Sequence, residues 1–255
     1  MTMTTAAGCF CWFECASTDA RRVRPFYAEL FDWSAEDDSR PGGGEYTTFR
    51  ISNVEIAGLY QMTGSAFEGV PSHWATYVRV ESVDRKLERA TQLGAAVLAP
   101  AMDIAGLGRI AFVADPTGAS IGLFEAAGHP GRGDPGRTHG GMGWSELATA
   151  DPKRAREFYT ALFDWTAKED ADGRYTKFSA HGRPIGGMAT LPQQHQVVPH
   201  WMPYVAVDDC RLTAAKVVEL GGHTVVAPTE IAGAGCFSVL ADPAGACLAY
   251  IELKL

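Results

Sequence analysis

The sequence predicts an α+β fold made of two tandem domains of one kind, each built from a pair of β-α-β-β-β units. The first observation behind this is a duplication: TDARRVRPFYAELFDWSAEDD at Thr18–Asp38 returns as ADPKRAREFYTALFDWTAKED at Ala150–Asp170. The echo continues, with His73-Trp74 returning as His200-Trp201, Tyr77 as Tyr204, and DIAGLG…ADPTGA at Asp103–Ala119 as EIAGAG…ADPAGA at Glu230–Ala246. The spacing between equivalent residues drifts from 132 to 129 to 127. Loops absorb insertions and packed elements resist them, so this drift marks two copies of one structural unit. The second observation is AAGHPGRGDPGRTHGG at Ala126–Gly141, dense in Gly and Pro and without apolar periodicity, which reads as an exposed linker. Domains are therefore expected at residues 9–126 and 141–254, joined by a linker at 127–140. The third observation is that one order of strands and helix recurs inside each copy.

Each copy opens on a strand, at Cys9–Ala16 and at Gly143–Ala148. A helix follows. Val23, Phe26, Tyr27, Leu30 and Phe31 fall at helical spacing, and Ala155, Phe158, Tyr159, Leu162 and Phe163 repeat that stripe, so both helices bury one face. Asp19 and Asp151 stand at N-cap positions, and Pro152 occupies the first helical position, where its missing N–H costs nothing. Strands are expected next at Glu45–Ser52 and Ile56–Met62, matched by Arg174–Ala180 and Ile185–Leu191, with room for one strand more. The order then repeats: strand Trp74–Val80, helix Val83–Leu93, and strands near Ala96–Met102, Arg109–Ala114 and Ser120–Ala126.

A chain of 255 residues with 46% hydrophobic content is long enough for two domains that each bury a core. The formal charge of −8 and the lack of a Lys/Arg-rich run argue against nucleic acid, whose phosphates a binding surface must neutralise. MTMTTAAGCFCWF at the start has neither the basic opening nor the apolar stretch of a secretory signal, and no segment has the length of a membrane span. A cytoplasmic protein with a small-molecule ligand, existing as a monomer or homodimer, is expected. Cys9, Cys11, Cys15, Cys210, Cys236 and Cys247 share no pattern between the copies, which fits a reducing compartment better than a disulfide framework. The alternation in Cys9-x-Cys11-x3-Cys15 suits packed thiols on one strand face rather than a metal site. Pro41-Gly42-Gly43-Gly44 lacks the following helix and Lys of a phosphate loop and reads as a plain connection.

The paired units, the helix stripe ending in FY…LFDW, the HW…Y…V strand and the DP-x-GA turn before the final strand resemble the vicinal oxygen chelate superfamily. Glyoxalases, bleomycin-resistance proteins and extradiol dioxygenases are members. The chain is most similar to two-domain bacterial proteins described as glyoxalase-like or as hydroxylases, and the resemblance covers essentially its whole length. It implies that each domain curls two units into a cleft and that a divalent metal is held by His or Glu on the first and last strands of the units. Carried onto this chain, those positions fall on Trp12 and Trp144, on Ala75 and Met202, on Gly122 and Ala249, and near Gly58 or Leu59 and Gly187 or Met188. None is a His or a carboxylate, so no metal is expected at the usual site and no cofactor is predicted.

Strand alternation sorts the side chains that remain, because residues two apart share a face. Trp74, Val78 and Val80 suit the helix-covered face, which leaves Ala75, Tyr77 and Arg79 toward the first cleft and Met202, Tyr204 and Ala206 toward the second. Trp12 shares the cleft face with Glu14, and Trp144 with Glu146. Each concave face would then offer aromatic walls and one carboxylate, a setting for a small, partly apolar organic ligand. Glu14 and Glu146 are the candidate general bases; the bland alternative pairs each with an Arg or a backbone amide. Arg79 either orients an anionic ligand group or pairs with Glu14. Trp12, Tyr77, Arg79, Trp144, Met202 and Tyr204 are the candidate ligand contacts. His73 and His200 stand at strand edges, where a backbone partner is the simpler account, and Asp115 and Asp242 lie in turns that Asp, Pro and Gly build. Two functions stay open: a metal-independent enzyme acting on a small carbonyl or phenolic compound, or a protein that binds and sequesters such a compound.

Overall fold

The computed structural model describes residues 5–39, 45–129, 131, 138–191 and 197–254. The glycine run at 41–44 and most of the expected linker lie outside them. The first copy comprises β1 (Phe10–Ser17), α1 (Ala20–Leu30), β2 (Ser34–Ser39), β3 (Glu45–Ile51) and β4 (Val54–Gln61), then β5 (His73–Arg79), α2 (Val83–Gln92), β6 (Ala96–Ile104), β7 (Gly108–Ala114) and β8 (Ser120–Ala126). The second repeats it with β9 (Met142–Thr149), α3 (Pro152–Phe163), β10 (Thr166–Glu169), β11 (Tyr175–Ala180) and β12 (Arg183–Thr190), then β13 (His200–Ala206), α4 (Cys210–Glu219), β14 (His223–Ile231), β15 (Gly235–Ala241) and β16 (Cys247–Leu253). Four β-α-β-β-β units thus make two mixed eight-stranded sheets, ordered β2-β3-β4-β1-β5-β8-β7-β6 and β10-β11-β12-β9-β13-β16-β15-β14. This is the α+β fold with two tandem domains that the sequence predicts.

The helix starts follow from local chemistry. Asp19 accepts from the Arg22 N–H and Asp151 from the Arg154 N–H, and α3 begins at Pro152. The strands that the sequence shows least are β2 and β10. Their sequences, SAEDDS and TAKE, carry charges instead of an apolar alternation, as suits strands at sheet edges. None of the six cysteines is in a disulfide. No described helix is long and apolar enough to cross a membrane.

The described residues pack into two compact units, each drawing on both copies: 12–39, 45–74, 138–143 and 203–254 form one, and 5–11, 75–129, 131, 144–191 and 197–202 form the other. Inside the first of these, Tyr27 on α1 donates its hydroxyl to Asp242 Oδ2 at 3.0 Å, and Trp74 Nε1–H donates to the same tyrosine oxygen at 2.7 Å. Asp242 Oδ1 also accepts from the N–H groups of Ala244 and Ala246, at 2.8 and 3.0 Å. The second unit repeats the device. Tyr159 donates to Asp115 Oδ2 at 2.7 Å, Trp201 Nε1–H donates to Tyr159 at 2.7 Å, and Asp115 Oδ1 holds the Thr117 and Ala119 N–H groups. The turn aspartates therefore do more than shape a turn, since each latches the helix tyrosine of the other copy.

Burial pushes both phenols well above their ordinary pKa, which keeps them as O–H donors. Burial also raises the Asp242 carboxyl, while the N–H groups of Ala244 and Ala246 and the Tyr27 hydroxyl pull it the other way. Around the latches stand matching aromatic cores: Tyr27, Phe31, Trp33, Phe49 and Trp74 in one unit, and Phe10, Tyr159, Phe163, Trp165, Phe178 and Trp201 in the other.

Candidate functional site

On β1 the alternation separates two faces. Phe13 and Cys15 are fully buried, with Cys15 Sγ 4.0 Å from the latch carboxylate of Asp242, whereas half-buried Trp12 and Glu14 take the opposite face. Glu14 pairs in register with Gly58 of β4, and β3 runs antiparallel to β4 on its other side. From β3, Tyr46 reaches back over Gly58. Its oxygen accepts from Trp12 Nε1–H at 3.0 Å, and its O–H donates to Glu14 Oε1 at 2.6 Å. A methyl group on residue 58 would overlap the Tyr46 hydroxyl, so glycine is what admits the ring.

The second copy builds the same chain from Trp144 and Glu146 on β9, Tyr175 on β11 and Gly187 on β12. Glu146 pairs in register with Gly187, Glu146 and Trp144 both act on the Tyr175 phenol, and a methyl group on Gly187 would overlap the Tyr175 hydroxyl. Burial, with the Glu146 charge beside it, pushes the Tyr175 phenol well up, so it remains a donor. Tyr46 and Tyr175 are missing from the sequence-derived candidates. The available signal was their recurrence 129 residues apart in YTTF and YTKF, with a glycine pair in the neighbouring strand at the same spacing.

The other candidates sit on β5 and β13. Tyr77 packs edge-on against Phe112, centroids 5.0 Å apart, and lies over Gly122, its register partner on β8, where a Cβ would stand 2.5 Å from the ring. Tyr204 is buried and pairs in register with Ala249. Arg79 ends β5, half-exposed, its N–H bonded to the Cys9 carbonyl at 2.9 Å. Met202 is half-buried, and its carbonyl accepts from Ser145 Oγ at 3.3 Å. His73 and His200 each meet a backbone carbonyl through Nδ1, at 2.9 Å from Pro71 and 2.8 Å from Val198. An open depression of about 480 Å³ beside β4 is lined by Thr18, Met62, Thr63, Gly64, Ser65, Phe67 and Glu68, and includes none of the candidates.

The residues at the positions where the fold family carries a metal do not fit one. Trp12, Ala75, Gly58 and Gly122 in the first copy offer no coordinating atom on their side chains, and the space beside both glycines is taken by the tyrosines that lie over them. Among the described residues no group of three or more His, Cys, Asp or Glu side chains is placed to hold a metal ion.

A family model described as a glyoxalase-like domain matches residues 12–124 and again 145–249. The chain belongs to the glyoxalase-like family. A protein named "Putative glyoxylase CFP32" from Mycobacterium tuberculosis is 36% identical over 245 residues, covering 94% of this chain and 93% of that one. The "Anthracycline biosynthesis protein DauV" of Streptomyces sp. strain C5 is 32% identical over 262 residues, covering 98% and 94%. Among solved structures, this glyoxalase-like chain superposes with a TM-score of 0.66 on the Mn(II)-bound glyoxalase from Novosphingobium aromaticivorans, at 16% identity, over 97% of this chain and 83% of that one. Homoprotocatechuate 2,3-dioxygenase from Arthrobacter globiformis gives the same TM-score and identity over 100% and 82%. At that identity the likeness is one of fold.

Proposed function

We propose that this glyoxalase-like protein binds a small, partly aromatic organic molecule bearing hydroxyl or carbonyl groups, against the faces that carry Trp12–Tyr46–Glu14 and Trp144–Tyr175–Glu146, and without the divalent metal usual in the fold. The observation that carries this reading is the repeated arrangement itself, because two copies that diverge elsewhere keep one Trp, one Tyr and one Glu together, hydrogen-bonded as Trp12–Tyr46–Glu14 in the first and with Tyr175 over Gly187, the register partner of Glu146, in the second. Trp and Tyr supply flat apolar surface, and the carboxylate supplies an oriented acceptor. The relatives named for anthracycline biosynthesis support a fused aromatic ligand class. Action in the cytoplasm, as a monomer or homodimer, completes the proposal.

The 2.6 Å contact between Tyr46 and Glu14 favours a second reading, in which the carboxylate takes a proton from the bound molecule while Tyr46 holds it in place. The two readings separate on one point: a binding protein returns its ligand unchanged, and an enzyme does not. Titration with 2,6-dihydroxyanthraquinone tests the shared claim. A hydrogen bond to a charged acceptor contributes about 1.5–3 kcal/mol, so Glu14→Gln combined with Glu146→Gln is expected to weaken binding at least about tenfold. Unchanged affinity in that double variant would remove both glutamates from the site.

A further inference from the structure

We propose that Tyr60 makes the first of the two faces the tighter ligand site, and that its hydroxyl donates to a carbonyl oxygen of the bound aromatic molecule. The inference rests on the function proposed above and names a ligand group that one face can recognise and the other cannot. Tyr60 stands on β4 as the register partner of Tyr46 on β3 and of Ala16 on β1, two residues beyond Gly58, the partner of Glu14. Register partners present their side chains on one face of a sheet, and so do residues two apart on a strand. Tyr60 therefore shares the face of Trp12, Glu14 and Tyr46.

The copies agree at the other positions of this arrangement. Trp12, Glu14 and Tyr46 return as Trp144, Glu146 and Tyr175, and the glycine and alanine beside them recur as well. At Tyr60 the copies part. Its equivalent is Ala189, the register partner of Tyr175 and of Ala148. Alanine offers a methyl group and no side-chain donor, so the second face lacks both the ring and the hydroxyl.

Tyr60 is half-buried, and among the described residues its hydroxyl makes no hydrogen bond. Burial, with the Glu14 and Cys15 side chains beside it, pushes the phenol above its ordinary pKa, so it stays an O–H donor. A phenol has one proton to offer. A carboxylate nearby repels an anionic acceptor, which leaves a neutral one, the oxygen of a ketone or quinone, as the group that the Tyr60 hydroxyl meets. The Tyr60 ring also lies 6.0 Å, centroid to centroid, from Phe67 in the short helical turn Ser65–Phe67, and Phe67 lines the open depression of about 480 Å³. Aromatic surface thus runs from Trp12 and Tyr46 through Tyr60 toward open space, which suits a fused-ring ligand.

The Trp12 and Trp144 indole N–H resonances report on the two faces separately in ¹H–¹⁵N spectra of the whole protein titrated with 2,6-dihydroxyanthraquinone. Trp12 is expected to reach its midpoint at a ligand concentration at least about threefold below that of Trp144, the least that one added hydrogen bond should give. Tyr60→Phe should raise the Trp12 midpoint by about three- to tenfold and leave that of Trp144 where it is. The comparison compound is 2,6-dihydroxyanthracene, which keeps the rings and hydroxyls and lacks the carbonyls. Its Trp12 midpoint should be the same in wild type and Tyr60→Phe, a distinction that a merely structural role would not make.

Equal midpoints for the two indoles in the wild type, or a Trp12 midpoint unchanged in Tyr60→Phe, would overturn the role of Tyr60 and leave the aromatic-ligand reading in place. A Tyr60→Phe loss as large for the anthracene as for the quinone would overturn the carbonyl assignment. No shift at either indole would overturn the aromatic-ligand reading itself, and the role of Tyr60 with it.

Discussion

Asp242→Ala is expected to lower folding stability by about 3 kcal/mol or more, measured by urea unfolding, since each buried donor left without an acceptor costs about 1–3 kcal/mol. The carboxylate is 1% exposed and accepts from Tyr27, Ala244 and Ala246, so its removal strands three donors at once. The Tyr27 hydroxyl that loses its acceptor is itself fully buried and holds the Trp74 indole. Asp115→Ala should behave alike, because Asp115 is 3% exposed and serves Tyr159, Thr117 and Ala119. A hydroxyl-only deletion, Tyr27→Phe, should cost less than Asp242→Ala, and the two together less than their sum, because they share one hydrogen bond. Wild-type stability in Asp242→Ala would show that the latch does not hold α1.

The second large effect belongs to the aromatic core. Trp165→Ala is expected to cost about 3–5 kcal/mol, the range for removing a large aromatic from a packed interior. Trp165 is 3% exposed, stands within 5.0–6.0 Å, centroid to centroid, of Phe10, Tyr159, Phe163, Phe178 and Trp201, and donates its indole N–H to the Gly8 carbonyl at 2.6 Å. Trp165→Phe should recover much of the packing and leave the Gly8 carbonyl without that donor, so its cost should lie well below that of alanine. Equal costs for Phe and Ala would place the effect in the lost hydrogen bond instead of the ring.

What could be read ahead of the structure was whatever is written locally or twice. Asp19 and Asp151 were legible as caps because a cap is decided within four residues. The duplication exposed the domain pair, and alternation placed Trp12 and Glu14 opposite Phe13 and Cys15. β2 could be counted but not placed, because SAEDDS has no apolar face to betray a strand, and its charges mark an edge only once the neighbouring strand is known. Tyr46 escaped for a different reason. Until register brings β3 and β1 to either side of β4, a strand tyrosine cannot be told from core filler. Gly58 did carry a signal, since glycine inside a strand often marks a close approach, but what approaches is a long-range fact. The same holds for Asp242, whose turn is local and whose bond to Tyr27 spans most of the chain.

The central claim is that the paired Trp–Tyr–Glu faces take an organic ligand with no divalent metal. Native mass spectrometry of chelator-treated protein, mixed with 2,6-dihydroxyanthraquinone in the presence and absence of Mn(II), tests it most directly. The account predicts a mass increase equal to the organic compound alone, the same with and without Mn(II), and weakened at least about tenfold in Glu14→Gln/Glu146→Gln protein. A ligand adduct that forms only when Mn(II) is restored, and that carries the metal's mass with it, would contradict the account.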